Sequence, residues 1–170
     1  MLLLAATACS IRRIVTLTLV SLLVVTGLGA LQAERAGAAP AKSGRTVLAA
    51  SGSAAQSTFA FTNRKRGKHG AARLKRVARL DRVAAGQARR MARARTMFHN
   101  PNLARDLRKW CAYGENVAYA HSVRRANRLL WNSPGHRANM LKRRFDRMGS
   151  AVVVDPSGIR WVVQVFGRKC

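Results

Sequence analysis

His136 is the residue of this 170-residue chain whose surroundings most resemble a reactive site. It follows Ser133-Pro134-Gly135, a helix start with Ser as N-cap and Pro at the first helical position. A first-turn imidazole sits at the positive end of the helix dipole, which disfavours its protonation. Held neutral, it could act as a metal ligand or general base, or it could simply pack the turn and bond a neighbouring backbone group. Glu115, in Gly114-Glu115-Asn116, is one of five acidic groups after Glu34. It could serve a site, pair with one of many arginines, or cap a helix start. His99 lies between Phe98 and Asn100-Pro101 at a helix exit, and on its own reads as a loop histidine. No nucleophile stands out. Ser133 is explained as an N-cap, and Cys111, chemically better suited, has Cys170 as a candidate disulfide partner. No Ser-His-Asp or Cys-His arrangement has independent support.

The elements that must hold these residues follow from periodicity. Ser57 to Lys68 reads as a helix closed by Gly70. Leu80, Val83, Ala84, Gln87, Ala88, Met91 and Ala94 recur at helical spacing, with Arg79, Arg82, Arg89, Arg90 and Arg93 on the other face. A third helix spans Val123 to Asn132, and a short one runs from Pro134 to about Lys142. Ala151–Val154, Asp155-Pro-Ser-Gly158 and Ile159–Phe166 then read as strand, turn and strand, with both faces of the last strand covered. Helices followed by a hairpin make an α+β domain.

The N-terminus sets the compartment. Arg12 and Arg13 precede Ile14 to Ala30, an apolar run of about 17 residues followed by Leu31-Gln32-Ala33. This reads as an export segment over residues 1–33, either removed as a signal peptide or retained as an anchor. Residues 34–56, rich in Ala, Gly and Ser, read as a flexible linker, and residues 57–170 as one domain. In an oxidising compartment the two remaining cysteines, Cys111 and Cys170, either stay free or bridge. A bridge would close a loop of about 60 residues and add roughly 4 kcal/mol.

Charge is the other strong feature. The chain carries 32 Lys+Arg against 6 Asp+Glu, net +26; without Arg12 and Arg13 it is 30 against 6, or +24. Basic helix faces and Lys142, Arg143, Arg144 and Arg147 would attract anionic cell-surface polymers or lipids, or form a merely solvated surface. With no base-reading helix and only 6% aromatic residues, specific nucleic-acid recognition is not expected.

Four motifs then occur in order. They are Phe98-His99-Asn100; Gly114-Glu115-Asn116-Val117; Ser133-Pro134-Gly135-His136-Arg137-Ala138-Asn139-Met140-Leu141; and Trp161-Val-Val-Gln-Val-Phe-Gly167. Together with Asn63-Arg64-Lys65-Arg66, they make residues 57–167 resemble the bacterial branch of the CAP superfamily, which includes cysteine-rich secretory proteins. The resemblance implies an α-β-α sandwich with a small antiparallel sheet between helices. It also implies a cleft where two His and two Glu converge, here matched by His99, Glu115 and His136. The second Glu has no match, and Gln87 stands where many bacterial relatives carry His. Two imidazoles and a carboxylate could hold a divalent ion such as zinc or magnesium, or orient a polar ligand group. Two functions follow: a monomeric secreted binding module for a lipid-like ligand, polyanion or protein partner, and a metal-dependent hydrolase using His99, Glu115 and His136. The incomplete ligand set and missing nucleophile favour the first.

Overall fold

The computed structural model describes residues 50–170. The expected export segment and the linker up to residue 49 lie outside the described residues. Five helices, α1 (Gly52–Lys68), α2 (Ala78–Ala94), α3 (Leu103–Asp106), α4 (Val123–Asn132) and α5 (Pro134–Leu141), accompany four strands, β1 (Lys75–Arg76), β2 (Trp110–Ala120), β3 (Arg147–Val154) and β4 (Arg160–Lys169). The sheet order is β1-β3-β4-β2. Strand β4 runs antiparallel to both β2 and β3. The two-residue β1 adds to β3 in parallel, so the sheet is not wholly antiparallel.

Alternation along β4 builds the layers, because successive strand side chains point to opposite faces. Trp161, Val163 and Val165 join Leu80, Ala84, Ala88 and Met91 of α2 in one core. Val162 and Phe166 join Ala126 and Leu130 of α4, Met140 of α5 and Phe59 of α1 in the other. Each such Val or Leu contributes about 1.5–3 kcal/mol by leaving water. The result is the α-β-α sandwich expected from the sequence. Helix α2 packs so closely on β3 that a Cβ on Gly149 would lie 2.1 Å from the Leu80 carbonyl carbon, and no larger residue fits there without displacing the helix.

The structure departs from or adds to the sequence reading at three places. Helix α1 begins at Gly52, not Ser57, because Ser51 Oγ accepts the Ala54 N–H and caps it. Gly52 to Gln56, read as linker from their small side chains, are therefore helical, and Ala55 is buried. Gly114-Glu115-Asn116, which the sequence reading assigns to no element, lies inside the 11-residue strand β2. Pairing with β4, as in Glu115 with Val165 and Asn116 with Gln164, outweighs the low strand propensity of Gly and Asn. Ser133 stands at the N-cap of α5, but its hydroxyl makes no capping bond.

Cys111 and Cys170 form a disulfide, which fastens the end of β4 to the start of β2. Arg66 fastens the other layer. It is buried at 1% exposure and donates to the carbonyls of Ala72, Met140, Lys142 and Phe145, joining α1 to the end of α5. Among the described residues no helix is long and apolar enough to cross a membrane.

Candidate functional site

Strand β2 lies at the sheet edge, and the candidate residues gather around it. Glu115 pairs with Val165 and falls on the α2 side of the sheet, whereas Asn116 falls on the α4–α5 side. The Glu115 side chain is 1% exposed and that of His99 is 63% exposed. Glu115 Oε1 accepts from His99 Nδ1 at 2.9 Å and from the Asn100 N–H at 2.9 Å. Its other oxygen, Oε2, is buried and unpartnered among the described residues. The contact favours a proton on Nδ1 facing the carboxylate, the usual way a carboxylate orients a functional histidine.

His99 owes its place to a residue that its sequence context marks only as a departure from relatives. Gln87, fully buried on α2, donates from Nε2 to the carbonyl of Phe98 at 2.5 Å and accepts from Arg90 Nε at 2.9 Å. It holds the backbone immediately before His99.

His136 arrives from the opposite face through a polar network. Asn116 Nδ2 donates to the His136 carbonyl and to Gln164 Oε1, both at 3.0 Å, while Asn139 Nδ2 donates to Asn116 Oδ1 at 3.0 Å. Gln164 Nε2 continues to Thr62 Oγ1 on α1. Asn116, Asn139 and Gln164 thus position the first turn of α5, a role the sequence reading did not assign them. Polar residues at core positions of paired strands are the sign that could have shown it. Burial, then the nearby charge of His99, lowers the pKa of His136. The neutral imidazole expected from the helix dipole therefore has two further causes here.

The three residues share one edge of the sheet but do not form a ligand set. Glu115 already orients His99, and no group of three His, Cys, Asp or Glu among the described residues is arranged to hold a metal ion. The residues present therefore do not fit the divalent centre that the resemblance implies. Ser133 forms no hydrogen bond with His136 among the described residues, although both line the same cleft.

His136 does line a cleft of about 430 Å³. Its lining is mostly apolar, from Met97, Val117, Tyr119, Leu129, Leu130 and Ile159, and also includes Arg125, Ser133 and His136. A second hollow of about 470 Å³ shares Met97, Tyr119 and Ile159 and extends to Trp161 and Asp155. His99 and Glu115 line neither.

Comparison with known proteins agrees with this architecture. The model of the cysteine-rich secretory protein (CAP) family matches residues 59–166. An outer surface protein of Borrelia burgdorferi is similar in fold, with 19% identity and a TM-score of 0.65 over 70% of this chain and 95% of its own. An extracellular protein containing an SCP domain from Bacillus anthracis is 28% identical, with a TM-score of 0.60 over 69% of this chain and 41% of its own. A cysteine-rich secretory protein from Staphylococcus aureus is 25% identical, with a TM-score of 0.59 over 69% of this chain and 38% of its own. In those last two the matching region is less than half of a longer chain. A search of curated proteins finds no match.

Proposed function

The chain belongs to the cysteine-rich secretory protein (CAP) family, and from that premise we propose that it is an extracellular, non-catalytic binding module. Its ligand is a small amphiphile with an apolar body and one anionic head, held in the cleft between β2 and α4. An extracellular place is supported by the description of the Bacillus anthracis relative as extracellular and of the Staphylococcus aureus relative as secretory.

One observation carries the reading. Of the five large hydrophobic side chains left exposed among the described residues, three line this one cleft: Met97 at 46%, Tyr119 at 50% and Leu129 at 47%. Exposed apolar side chains scattered singly need no explanation, but three converging on a concavity mark a binding surface. The volume falls in the range of small-ligand sites, roughly 300–1,000 Å³. Arg125 and His121 at the same cleft match an anionic head, and the net charge of +26 draws anions from solution.

The test is titration with a long-chain fatty acid and with the corresponding uncharged alcohol. Saturable fatty-acid binding is expected. Leu129→Asp should weaken it roughly tenfold, as befits a half-exposed leucine losing about 1–1.5 kcal/mol of apolar contact. Arg125→Glu should weaken the acid but leave the alcohol unchanged. Binding that ignores Leu129→Asp would sink the assignment to this cleft.

A further inference from the structure

A larger hollow lies elsewhere and has a different chemistry. It encloses about 600 Å³ and shares no lining residue with the apolar cleft. Five cationic side chains line it: Arg79, Arg105, Arg108, Lys109 and Lys169. They come from four places in the chain. Arg79 is in the first turn of α2, Arg105 is in α3, Arg108 and Lys109 are in the turn before β2, and Lys169 ends β4.

The fold forces these charges together. Trp110 and Lys169 are directly paired between β2 and β4, and the adjacent Cys111–Cys170 disulfide locks that end of the ladder. The Trp110 indole packs closely on β4, where a Cβ on Gly167 would lie 2.5 Å from its Cε3. Only glycine lets the ring form this wall of the hollow.

Most of these charges are also uncompensated. Asp106 is the single acidic side chain in the lining, and its Oδ2 already accepts from Asn100 Nδ2 at 3.0 Å. Arg79 is held by a carbonyl, donating to the Asp106 backbone oxygen at 3.0 Å, so its charge is oriented without being neutralised. Arg105, Arg108, Lys109 and Lys169 form no ion pair among the described residues. Holding like charges around one concavity costs free energy unless something anionic enters.

We infer that this hollow is a binding site for soluble phosphate chains, anions carrying two or more linked phosphoryl groups. A single phosphate is too small to meet cations arrayed around 600 Å³, whereas linked phosphoryl groups present several oxyanions at once. Arginine meets each such group through two parallel N–H donors, and lysine adds point charge.

The probe is inorganic tripolyphosphate, titrated calorimetrically into the oxidised protein. Saturable binding is expected, with the Trp110 indole N–H resonance shifting along the titration. An Arg105→Ala, Arg108→Ala, Lys109→Ala variant should bind roughly tenfold or more weakly. A charge-matched control, Arg93→Ala, Arg124→Ala, Arg128→Ala, removes three cations that are exposed and line no hollow; it should stay within about threefold. All six side chains are exposed, so both variants are expected to fold. Equal losses in the two variants would reduce the effect to net charge and overturn the site. So would an unshifted Trp110 resonance. Failure of tripolyphosphate to bind, with cavity-dependent sedimentation on phosphatidylglycerol vesicles, would overturn the soluble-phosphate assignment in favour of lipid headgroups.

Discussion

Replacing Arg66 with methionine should destabilise the domain by about 2–4 kcal/mol. The side chain is buried, and its guanidinium meets no carboxylate. It donates instead to four carbonyls: Ala72 at 2.6 Å, Met140 at 2.8 Å, Lys142 at 3.1 Å and Phe145 at 3.3 Å. Burial, and then the charge of Arg143, lowers its pKa, so the ion is already unfavourable in its setting and only those acceptors hold it. Methionine fills similar volume and removes all the donors. The Met140 and Phe145 bonds are buried, and each stranded carbonyl costs about 1–3 kcal/mol. The Ala72 and Lys142 bonds are part-buried, so water can replace the donor at little cost. Relief from burying the guanidinium offsets a share of the loss, which brings the sum to about 2–4 kcal/mol. For a domain of this size that corresponds to a fall in Tm of about 8–16 °C. Urea unfolding followed by tryptophan fluorescence would measure it. Lysine should rescue little, because one ammonium cannot span carbonyls arranged for a planar fork. A loss below about 1 kcal/mol for Arg66→Met, or full rescue by lysine, would mean that the four carbonyls have other donors.

The remaining predictions are briefer. Cys111→Ser with Cys170→Ser opens a link of sequence separation 59 and should cost about 4 kcal/mol in urea unfolding. For Asp155, burial favours the neutral acid, but hydrogen bonds from Ser157 Oγ, Trp161 Nε1 and the Ile159 and Ser157 N–H groups outweigh it and lower the pKa. Its stabilising contribution is therefore present above the ordinary carboxylate pKa of about 3.9 and lost as the pH falls below it. Asp155→Asn should flatten that part of the stability profile. His136, with its pKa lowered by burial and then by His99, binds its proton more weakly folded than unfolded. Stability should therefore decline as the pH drops below about 6.5, and NMR titration should show its midpoint rising in His99→Ala. With a formal charge of +26, moderate salt should raise the Tm by screening self-repulsion, although it weakens anion binding.

Where the sequence carries a period, it matches the structure. Helix α4 occupies Val123–Asn132 as expected because Ser122 caps it through the Arg125 N–H and Ala126 and Leu130 recur on its buried face. Helix α2 is as clear, with Leu80, Ala84, Ala88 and Met91 all fully buried. Strand β2 carries no comparable pattern. Ala112, Gly114, Glu115 and Asn116 have weak strand preference, and the strand exists because β4 offers an edge to pair with. Long-range pairing leaves no local trace. The same reason hides the residues that position His136. Asn116 bonds Gln164, 48 residues away, and Gln164 bonds Thr62, 102 residues away. Each looks like an isolated polar residue until the sheet closes. The pairing of His99 with Glu115, by contrast, could be expected from the family motifs, although the role of that carboxylate as an orienting partner emerges only from its geometry.

The scarcity of acid explains what kind of ligand such a surface can serve. All five described acidic side chains accept hydrogen bonds within the fold: Asp81 from the Ser150 N–H, Asp106 from Asn100, Glu115 from the Asn100 N–H, Asp146 from Arg147 and Asp155 from the Ile159 N–H. Only Asp81 and Asp146 also pair with arginine. Carboxylates are thus used to fasten backbone turns and orient side chains, and few remain to neutralise the surface. Burial on two faces of a sheet, a disulfide and carbonyl-bound Arg66 hold the fold, with surface ion pairs adding little. A surface freed from pairing within the molecule keeps its positive potential for partners from outside. The apolar cleft and the basic hollow differ in shape and lining, but that potential gives both the same preference of sign, so a cationic ligand would enter either against the field and an uncharged one would gain nothing from it.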